Sequence, residues 1–422
     1  MPGRPPEALL HDLWSHGLFS EKPLQTTTGE LIHIVHPGEA NPDTGPDFLN
    51  ACLLIDGTRW YGSIELHVRS SAWKAHGHHR DPRYNSVILH VVLEADAATG
   101  SLQRADGTRL PELVLGPYLP HPLRTLLYTF YRRAHKPLPC AAQWHLVPDL
   151  VRMNWLDMLG RIRLQQRAQH IQTLLAQKPS DQVLYELLMT ALGYASNTEP
   201  MRMLTRRLPL TVLRTLPTLP DVEAVLLGTA GLLDTLRPDR LFTAEHWKAL
   251  RLRFVRWQKR WHLVPLPALL WQQGRQRPAN RPERRLLQAA GWLAPGGWLR
   301  QHPIAQLEAA LHHPHPLRRL RRLLRSPNPH VPLGRQRTDI LLINALFPFL
   351  LAHNPDYHDQ LVRLLQTMPA ERDRITQRFA QLPYRAATAF DSQALHQLYR
   401  TYCQPWRCLH CEIGRYLMGH VS

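Results

Sequence analysis

The chain has 422 residues, of which 44% are hydrophobic and 20% are charged, enough apolar material for two or three folded domains. The N-terminal residues lack the pattern of a signal peptide, and the longest apolar run, residues 340–351, is broken by Asn344 and Pro348 and is shorter than the ~20 residues that a membrane span needs. These features exclude the secreted, membrane and fibrous classes and predict a cytoplasmic protein.

The charge of the chain is strongly positive and unevenly distributed. There are 51 Lys and Arg residues against 33 Asp and Glu, a net charge of +18. Residues 1–120 carry 9 basic and 14 acidic residues and are net −5, whereas residues 121–422 carry 42 and 19 and are net +23. Because clustered Lys and Arg attract polyanions and release their counterions, the second part predicts a nucleic-acid partner. A solvated, Arg-rich surface is the alternative.

The first quarter of the chain has the pattern of a small sheet. A short helix is predicted within residues 1–25, and short β-branched runs bounded by turn residues then continue to about Val114, as is typical of strands. Asp56-Gly57 predicts a hairpin between two of these runs, and Asp106-Gly107 predicts a weaker one.

After Pro120 the pattern becomes helical almost to the end of the chain, with apolar residues at helical spacing and Arg and Gln between them. We therefore expect an α+β protein. A small mixed α/β domain is predicted over residues 1–120, followed by a larger, basic, all-α body over residues 121–422.

The densest polar chemistry lies in the predicted strands. Glu65 and His67 are two residues apart and share one face of a strand, and the hairpin brings Asp47, near the start of the preceding strand, alongside Glu65. Two carboxylates are hard oxygen ligands that suit Mg²⁺ or Mn²⁺. Such an ion polarises a phosphodiester and lowers the pKa of a bound water, and His67 can accept a proton near neutral pH.

Gly45-Pro46-Asp47 and Glu65-Leu66-His67 together resemble the motifs of the PD-(D/E)XK nucleases. In that superfamily an Asp after Gly or Pro is followed by a strand carrying Glu-X-Lys, and a helix comes next. The resemblance implies a nuclease-like sheet in which Asp47 and Glu65 hold the catalytic metal. Water would be activated by His67, which replaces the Lys of the motif, or by Lys74 from the segment that follows.

A second interpretation relies on the histidines of the same region. Several imidazoles close together can ligate a hydrolytic zinc ion. The candidates are His67, His76, His78, His79 and His90, together with Asp81. A polar surface loop that binds no metal is the third interpretation.

Four of the five cysteines predict a separate metal site. Cys403, Cys408 and Cys411 form a C-x4-C-x2-C pattern, which in a cytosolic chain suits a metal better than a disulfide. Cys140 is the leading candidate for a fourth ligand, and His410 is the local alternative. Zinc and a [4Fe–4S] cluster both accept these ligands, and the site would be structural. Three free thiols are the alternative.

Two arginine-rich segments are candidates for nucleic-acid binding. Residues 277–285 precede a predicted helix, where backbone N–H groups also favour anions, and residues 317–325 alternate Arg with Leu in a predicted helix. An ordinary loop at a helix start, with paired arginines, is an equal alternative for the first segment, and a solvated basic face is an equal alternative for the second. The candidate residues are Arg277, Arg281, Arg284, Arg285, Arg318, Arg319, Arg321 and Arg322.

The segments GPDFLNA, GSIELHVRSSAWKAHGH, YNSVILHVV and CLHCEIG, with VEAVLLGTAGLL and RPANRPERR in the body, resemble an uncharacterised bacterial family, a domain of unknown function, over most of the chain. This resemblance implies no reaction, so the residues must predict the function. They favour a metal-dependent nuclease or a nuclease-like protein that processes nucleic acid. The alternatives are a non-catalytic nucleic-acid-binding or assembly protein and a His-ligated zinc hydrolase.

Overall fold

A computed structural model describes residues 5–19, 22–41, 43–119, 138, 140–235, 243–272, 281–325 and 331–419. The fold is α+β, as expected: an N-terminal sheet is followed by a mostly helical chain. The chain forms two compact units. The sheet unit comprises residues 1–160, 372–386 and 394–422, and the helical unit comprises residues 161–371 and 387–393. The expected domain border at residues 120 and 121 lies outside the described residues.

The sheet has seven strands in the order β1-β2-β4-β5-β6-β7, with the short β3 paired to β4. The pairs from β1 to β5 are antiparallel, whereas β5 pairs with β6, and β6 with β7, in parallel. Their bounds are β1 Leu24–Gln25, β2 Leu31–His36, β3 Glu39–Ala40, β4 Phe48–Ile55, β5 Thr58–Arg69, β6 Val87–Glu94 and β7 Glu112–Val114.

The helices begin with α1 before the sheet and the short α2 between β5 and β6, and the remainder follow the sheet. Their bounds are α1 Pro5–Ser15, α2 Ala72–Ala75, α3 Asp149–Leu175, α4 Ser180–Leu192, α5 Tyr194–Arg207, α6 Leu210–Leu213, α7 Leu219–Thr229, α8 Ala244–Trp261, α9 Pro282–Leu293, α10 Pro303–Leu311, α11 Pro316–Leu323, α12 Arg335–Leu341, α13 Phe347–His353, α14 His358–Thr367, α15 Arg374–Phe379, α16 Ala389–Leu398 and α17 Glu412–Gly419.

The core of the sheet unit forms between α1 and one face of the sheet. Leu10 and Trp14 of α1 are fully buried in one apolar cluster with Ile64 and Leu66 of β5. Cys408, near the other end of the chain, belongs to the same cluster. The C-terminal cysteine segment is therefore part of the sheet unit.

The helical unit has its own core, built mainly from leucine. Helix α7 lies at its centre, because all of its residues from Asp221 to Thr229 are buried. The absence of a side chain at Gly228 allows close packing, since a Cβ there would lie 2.2 Å from the ring of Phe254. In the described part of the chain, no helix is long and apolar enough to cross a membrane.

Candidate metal centre in the sheet unit

A row of polar side chains crosses one face of the sheet. The parallel register places Glu65 of β5 beside His90 of β6, and His90 beside Glu112 of β7. On the other side of Glu65, the backbone N–H of Asp47 donates to Glu65 Oε2 at 3.1 Å, and Asp47 Oδ2 accepts the N–H of Leu66 at 2.9 Å. The hairpin predicted at Asp56-Gly57 is confirmed, and it brings the two carboxylates together.

The two faces of β5 separate apolar from polar residues as the alternation predicts. Ile64, Leu66 and Val68 enter the apolar core. Glu65 and His67 share the opposite face, but that face is also covered, so their exposed fractions are only 4% and 3%. A carboxyl group and an imidazole buried this deeply require polar partners.

Three histidines and Glu65 converge on one point. His67 Nε2 lies 3.1 Å from His76 Nδ1, and Glu65 Oε1 lies 3.5 Å and 3.3 Å from Nε2 of His67 and of His78. The ligand atoms of the three histidines all lie within 4.8 Å of one another. Ligand atoms on a tetrahedral zinc ion are about 3.4 Å apart, given zinc–nitrogen bonds of about 2.0–2.1 Å. The spacing and chemistry of these donors fit such an ion.

Gly77 makes this convergence possible. It has a φ of +81°, a left-handed conformation that glycine adopts without steric cost. The chain reverses there between the end of α2 and the turn that begins at His78. His76 and His78, on either side of the glycine, therefore both reach His67.

A chain of hydrogen bonds orients His67. His90 Nδ1 lies 3.0 Å from Glu112 Oε2, and His90 Nε2 lies 2.9 Å from His67 Nδ1. Because a carboxylate accepts, we assign the His90 proton to Nδ1, which leaves Nε2 to accept from His67. A neutral His67 then has its lone pair on Nε2, the atom that faces His76 and Glu65.

Burial favours the neutral forms of His67, His78 and His90. Burial, with the charges of His90, His78 and His76, lowers the pKa of His67 to about 2. Burial also lowers the pKa of His78 and, despite the opposing effect of Glu112, that of His90. Neutral imidazoles are the form that binds metals.

The two acidic residues and His11 of α1 form the other side of the centre. Burial and the charge of Asp47 raise the pKa of Glu65 to about 9. His11 Nε2 lies 3.3 Å from Asp47 Oδ2. Burial alone would lower the pKa of His11, but the hydrogen bond and charge of Asp47 raise it above its ordinary value. His11 and Asp47 together can therefore hold a proton beside the buried donors.

Other residues predicted for this region lie outside the converging group. Lys74 is exposed on α2 and, among the described contacts, approaches neither carboxylate. His79 is half-buried and is not one of the three clustered histidines. Asp81 caps the turn that follows and binds the Arg83 side chain. Their proposed roles stay predictions.

The four predicted thiol ligands belong to the sheet unit, but among the described residues they are not a group whose ligand atoms converge within 4.8 Å. Cys403, Cys408 and Cys411 are at most 9% exposed, and all four are free thiols. Burial raises the pKa of Cys140 to about 12, with a further contribution from Cys411. Burial and the charges of the other three thiols raise the pKa of Cys403 well above its usual range. The backbone N–H groups of the first residues of α17 act in the opposite direction on Cys411.

The predicted arginines have very different surroundings. Arg277 lies outside the described residues. Arg281 faces Glu283 at 4.0 Å, and Arg285 is buried and donates to Gln288 at 2.7 Å. Arg321 donates to Asp339 at 2.6 Å. Arg284 is half-buried, whereas three arginines of α11 are exposed, namely Arg318, Arg319 and Arg322.

Sequence reasoning missed two members of this arrangement. His11 belongs to a helix that is far from the motif in sequence, and nothing in the local pattern singles it out. Glu112 did carry a signal, because an acidic residue inside the short apolar run LPELVL is either exposed or paired with a buried donor. The structure shows the second case, since Glu112 is 5% exposed and bound to His90.

The fold and site define an α+β protein in which histidines and carboxylates are buried together on one face of a mixed sheet. Residues 7–374 match the family described as "Protein of unknown function (DUF2851)", and the chain belongs to that family. No curated protein and no solved structure matches it. The resemblance to PD-(D/E)XK nucleases therefore stays a prediction.

Proposed function

We propose that this protein is a metal-dependent hydrolase that cleaves phosphodiester bonds in nucleic acid. The observation that carries the proposal is the convergence of one ring nitrogen from each of His67, His76 and His78 within 4.8 Å, beside Glu65 Oε1. Imidazole nitrogens favour zinc over magnesium, so we assign a zinc ion to the three histidines and Glu65. The rival ion is Mg²⁺ or Mn²⁺ held by the carboxylates of Asp47 and Glu65.

A divalent ion bound there would polarise a phosphoryl oxygen and lower the pKa of bound water. The protein residues have separate tasks. His90 and Glu112 hold His67 in the tautomer that directs its lone pair into the centre. His11 and Asp47, which are partly exposed, hold a proton next to the centre. This pair is suited to exchange that proton with a reacting group.

The charge of the chain supports nucleic acid as the substrate. The net charge of residues 121–422 is +23, and phosphate backbones are the polyanions that such proteins most commonly bind. The rival function is nucleic-acid binding without catalysis. It is favoured by the exposed arginines of α11 and would need no metal at the histidines.

The test is metal binding by calorimetry on chelator-treated protein, followed by a nuclease assay. Wild type and His79→Ala, the matched control, are expected to bind one zinc ion per chain at this site, in addition to any ion that the cysteines hold, whereas His76→Ala and His78→Ala bind that ion at least about 10-fold more weakly. Labelled DNA and RNA are then incubated with Zn²⁺, Mn²⁺ or Mg²⁺. Metal binding without cleavage of either nucleic acid would contradict the hydrolase and favour the binding protein. Manganese binding that survives the histidine variants but is lost in Asp47→Ala would favour the carboxylate site.

We also propose that Cys140, Cys403, Cys408 and Cys411 hold zinc or a [4Fe–4S] cluster. The burial of Cys403, Cys408 and Cys411, and the effect of the four thiols on one another's pKa, support this, because a bound cation would offset the cost of ionising these thiols. Such a site would fasten the C-terminal segment within the sheet unit.

Anaerobic purification with analysis of iron, sulfide and zinc tests the cysteine site. Visible absorption with iron and sulfide indicates a cluster, and zinc without colour indicates a single ion. Either is expected to be lost in Cys408→Ser and retained in Cys52→Ser, a buried cysteine of β4. Wild-type protein with neither metal would exclude the site.

A further inference from the structure

The helical unit contains a cleft lined entirely by basic side chains. Its volume is about 390 Å³, and we call it the basic cleft. The cleft lies along α11 and the turn before it. The lining residues are His313, His315, Arg318, Arg319, Arg322 and Arg325.

Helical spacing explains why these side chains share one side of α11. Arg318, Arg319 and Arg322 are separated by one, three and four positions and lie on one face, whereas Leu320 on the other side is fully buried. Arg321 points away from this face and is paired with Asp339. Guanidinium groups stay charged at any physiological pH, and like charges at this spacing repel one another. A bound anion would remove that cost.

A second cavity of about 590 Å³ shares four of the basic lining residues and adds an apolar wall. Trp292 and Trp298 form part of that wall. Trp298 is 7% exposed, and its indole N–H has no hydrogen-bond partner among the described residues. A buried donor without an acceptor is costly, so a ligand that brought an acceptor to this N–H, with a shift of the ring that uncovers it, would remove that cost. Together the two cavities suit a ligand that combines phosphates with a flat, partly apolar ring.

We propose that the basic cleft binds the phosphates of a single-stranded nucleic acid and that the tryptophan-lined cavity receives one unpaired base. The inference rests on the proposed function, whose substrate class it narrows. A base must be unpaired and unstacked to enter a cavity. The bases of a duplex are stacked and paired, whereas those of a single strand are free to turn outwards. Arg318, Arg319 and Arg322 would contact phosphates, and Trp298 would donate to the base.

The test measures binding of a labelled single-stranded oligonucleotide to the full chain in the presence of chelator, so that catalysis does not contribute. The variant Arg318→Gln/Arg319→Gln/Arg322→Gln is compared with Arg206→Gln/Lys248→Gln/Lys259→Gln. The control removes the same charge at exposed positions of the same unit. Circular dichroism establishes that both variants are folded.

We expect the cleft variant to bind at least about 10-fold more weakly than the control. The slope of log affinity against log salt concentration should fall by about 2, because each phosphate contact to a single strand contributes about 0.7. Trp298→Phe, which keeps a ring but removes the N–H, should weaken oligonucleotide binding while leaving binding of inorganic tripolyphosphate unchanged.

Equal losses in the cleft variant and the control would overturn the proposal, and so would a wild-type protein that binds neither oligonucleotide nor tripolyphosphate. Equal affinity for a duplex and a single strand would overturn its base-binding part. A different result would show that the proposed hydrolase function is wrong while the cleft proposal holds: the oligonucleotide would bind through the cleft, but no metal ion would support its cleavage.

Discussion

His90 Nε2 lies 2.9 Å from His67 Nδ1, and this contact decides which nitrogen of His67 faces the other histidines. His90 is fully buried, and its remaining nitrogen is bound to Glu112. Two imidazoles and a carboxylate therefore form a line across three parallel strands. The end of this line at His67 presents a lone pair to the candidate metal centre.

Glu112→Gln should weaken metal binding without removing a ligand. An amide can donate to His90 as well as accept, so it no longer imposes the tautomer that directs the His67 lone pair inward. Loss of such an outer partner typically lowers metal affinity about 10- to 100-fold. Competition with a zinc-binding dye measures the change. Glu94→Gln, at the end of β6 and paired with Arg69 at the rim of the sheet, is the control and should bind as wild type does; unchanged affinity in Glu112→Gln would argue against the relay.

Metal binding should release a proton from Glu65. Its pKa is raised to about 9 by burial and Asp47, so the metal-free carboxyl is protonated at neutral pH, whereas a ligand must be ionised. Ionisation of Glu65 should therefore raise the affinity for the metal about 10-fold for each unit by which the pH increases, up to about pH 9. Calorimetry in buffers of different ionisation enthalpy counts the proton. If a proton is still released when Glu65→Gln binds the metal, another group must supply it.

Gly228→Ala should destabilise the helical unit, although alanine is the better helix former. A Cβ at this position would lie 2.2 Å from the Phe254 ring, so α7 and α8 would have to separate or the ring to move. Overpacking of this kind costs about 1–3 kcal/mol. Urea unfolding of the wild type and the variant measures this loss in the free energy of unfolding. The double variant Gly228→Ala/Phe254→Leu should lose less stability than the sum of the single changes, and simple additivity would contradict the steric explanation.

Asp373 should stabilise the sheet unit in a pH-dependent way. Burial would raise its pKa, but His396, whose Nε2 lies 2.6 Å from Asp373 Oδ2, and the backbone N–H groups of α15 lower it to about 2. Because the pKa in the folded protein is below the unfolded value of about 3.9, the ionised carboxylate stabilises the fold above pH 4. This stabilisation is lost as the pH falls towards 2. The side chain is 38% exposed, so we expect at most about 1 kcal/mol.

Asp373→Asn isolates this charge, because asparagine also caps a helix well. The difference in unfolding midpoint between wild type and variant should be largest near neutral pH and should shrink as the pH falls below about 4. A difference that stays constant with pH would show that the contribution is not electrostatic. Glu199→Gln, at an exposed ion pair with Arg202, should show little change at any pH.

Local sequence predicted much of the fold and one half of the candidate centre. The β-branched runs and the Asp56-Gly57 turn predicted β4, β5 and the antiparallel pairing that places Asp47 beside Glu65. The period of two predicted that Glu65 and His67 share a face. These features depend on neighbours a few residues apart, and their physical causes are strand geometry and turn conformation.

Tertiary structure alone decided the other half. The parallel pairing of β5, β6 and β7 brings Glu112 to His90, α1 brings His11 to Asp47, and the C-terminal cysteines join the sheet unit. Residues this far apart in sequence meet only because burying apolar surface selects one packing of the elements. Composition and spacing therefore determined which ligand types this protein carries, whereas the packing of strands and helices decided which of them share a centre.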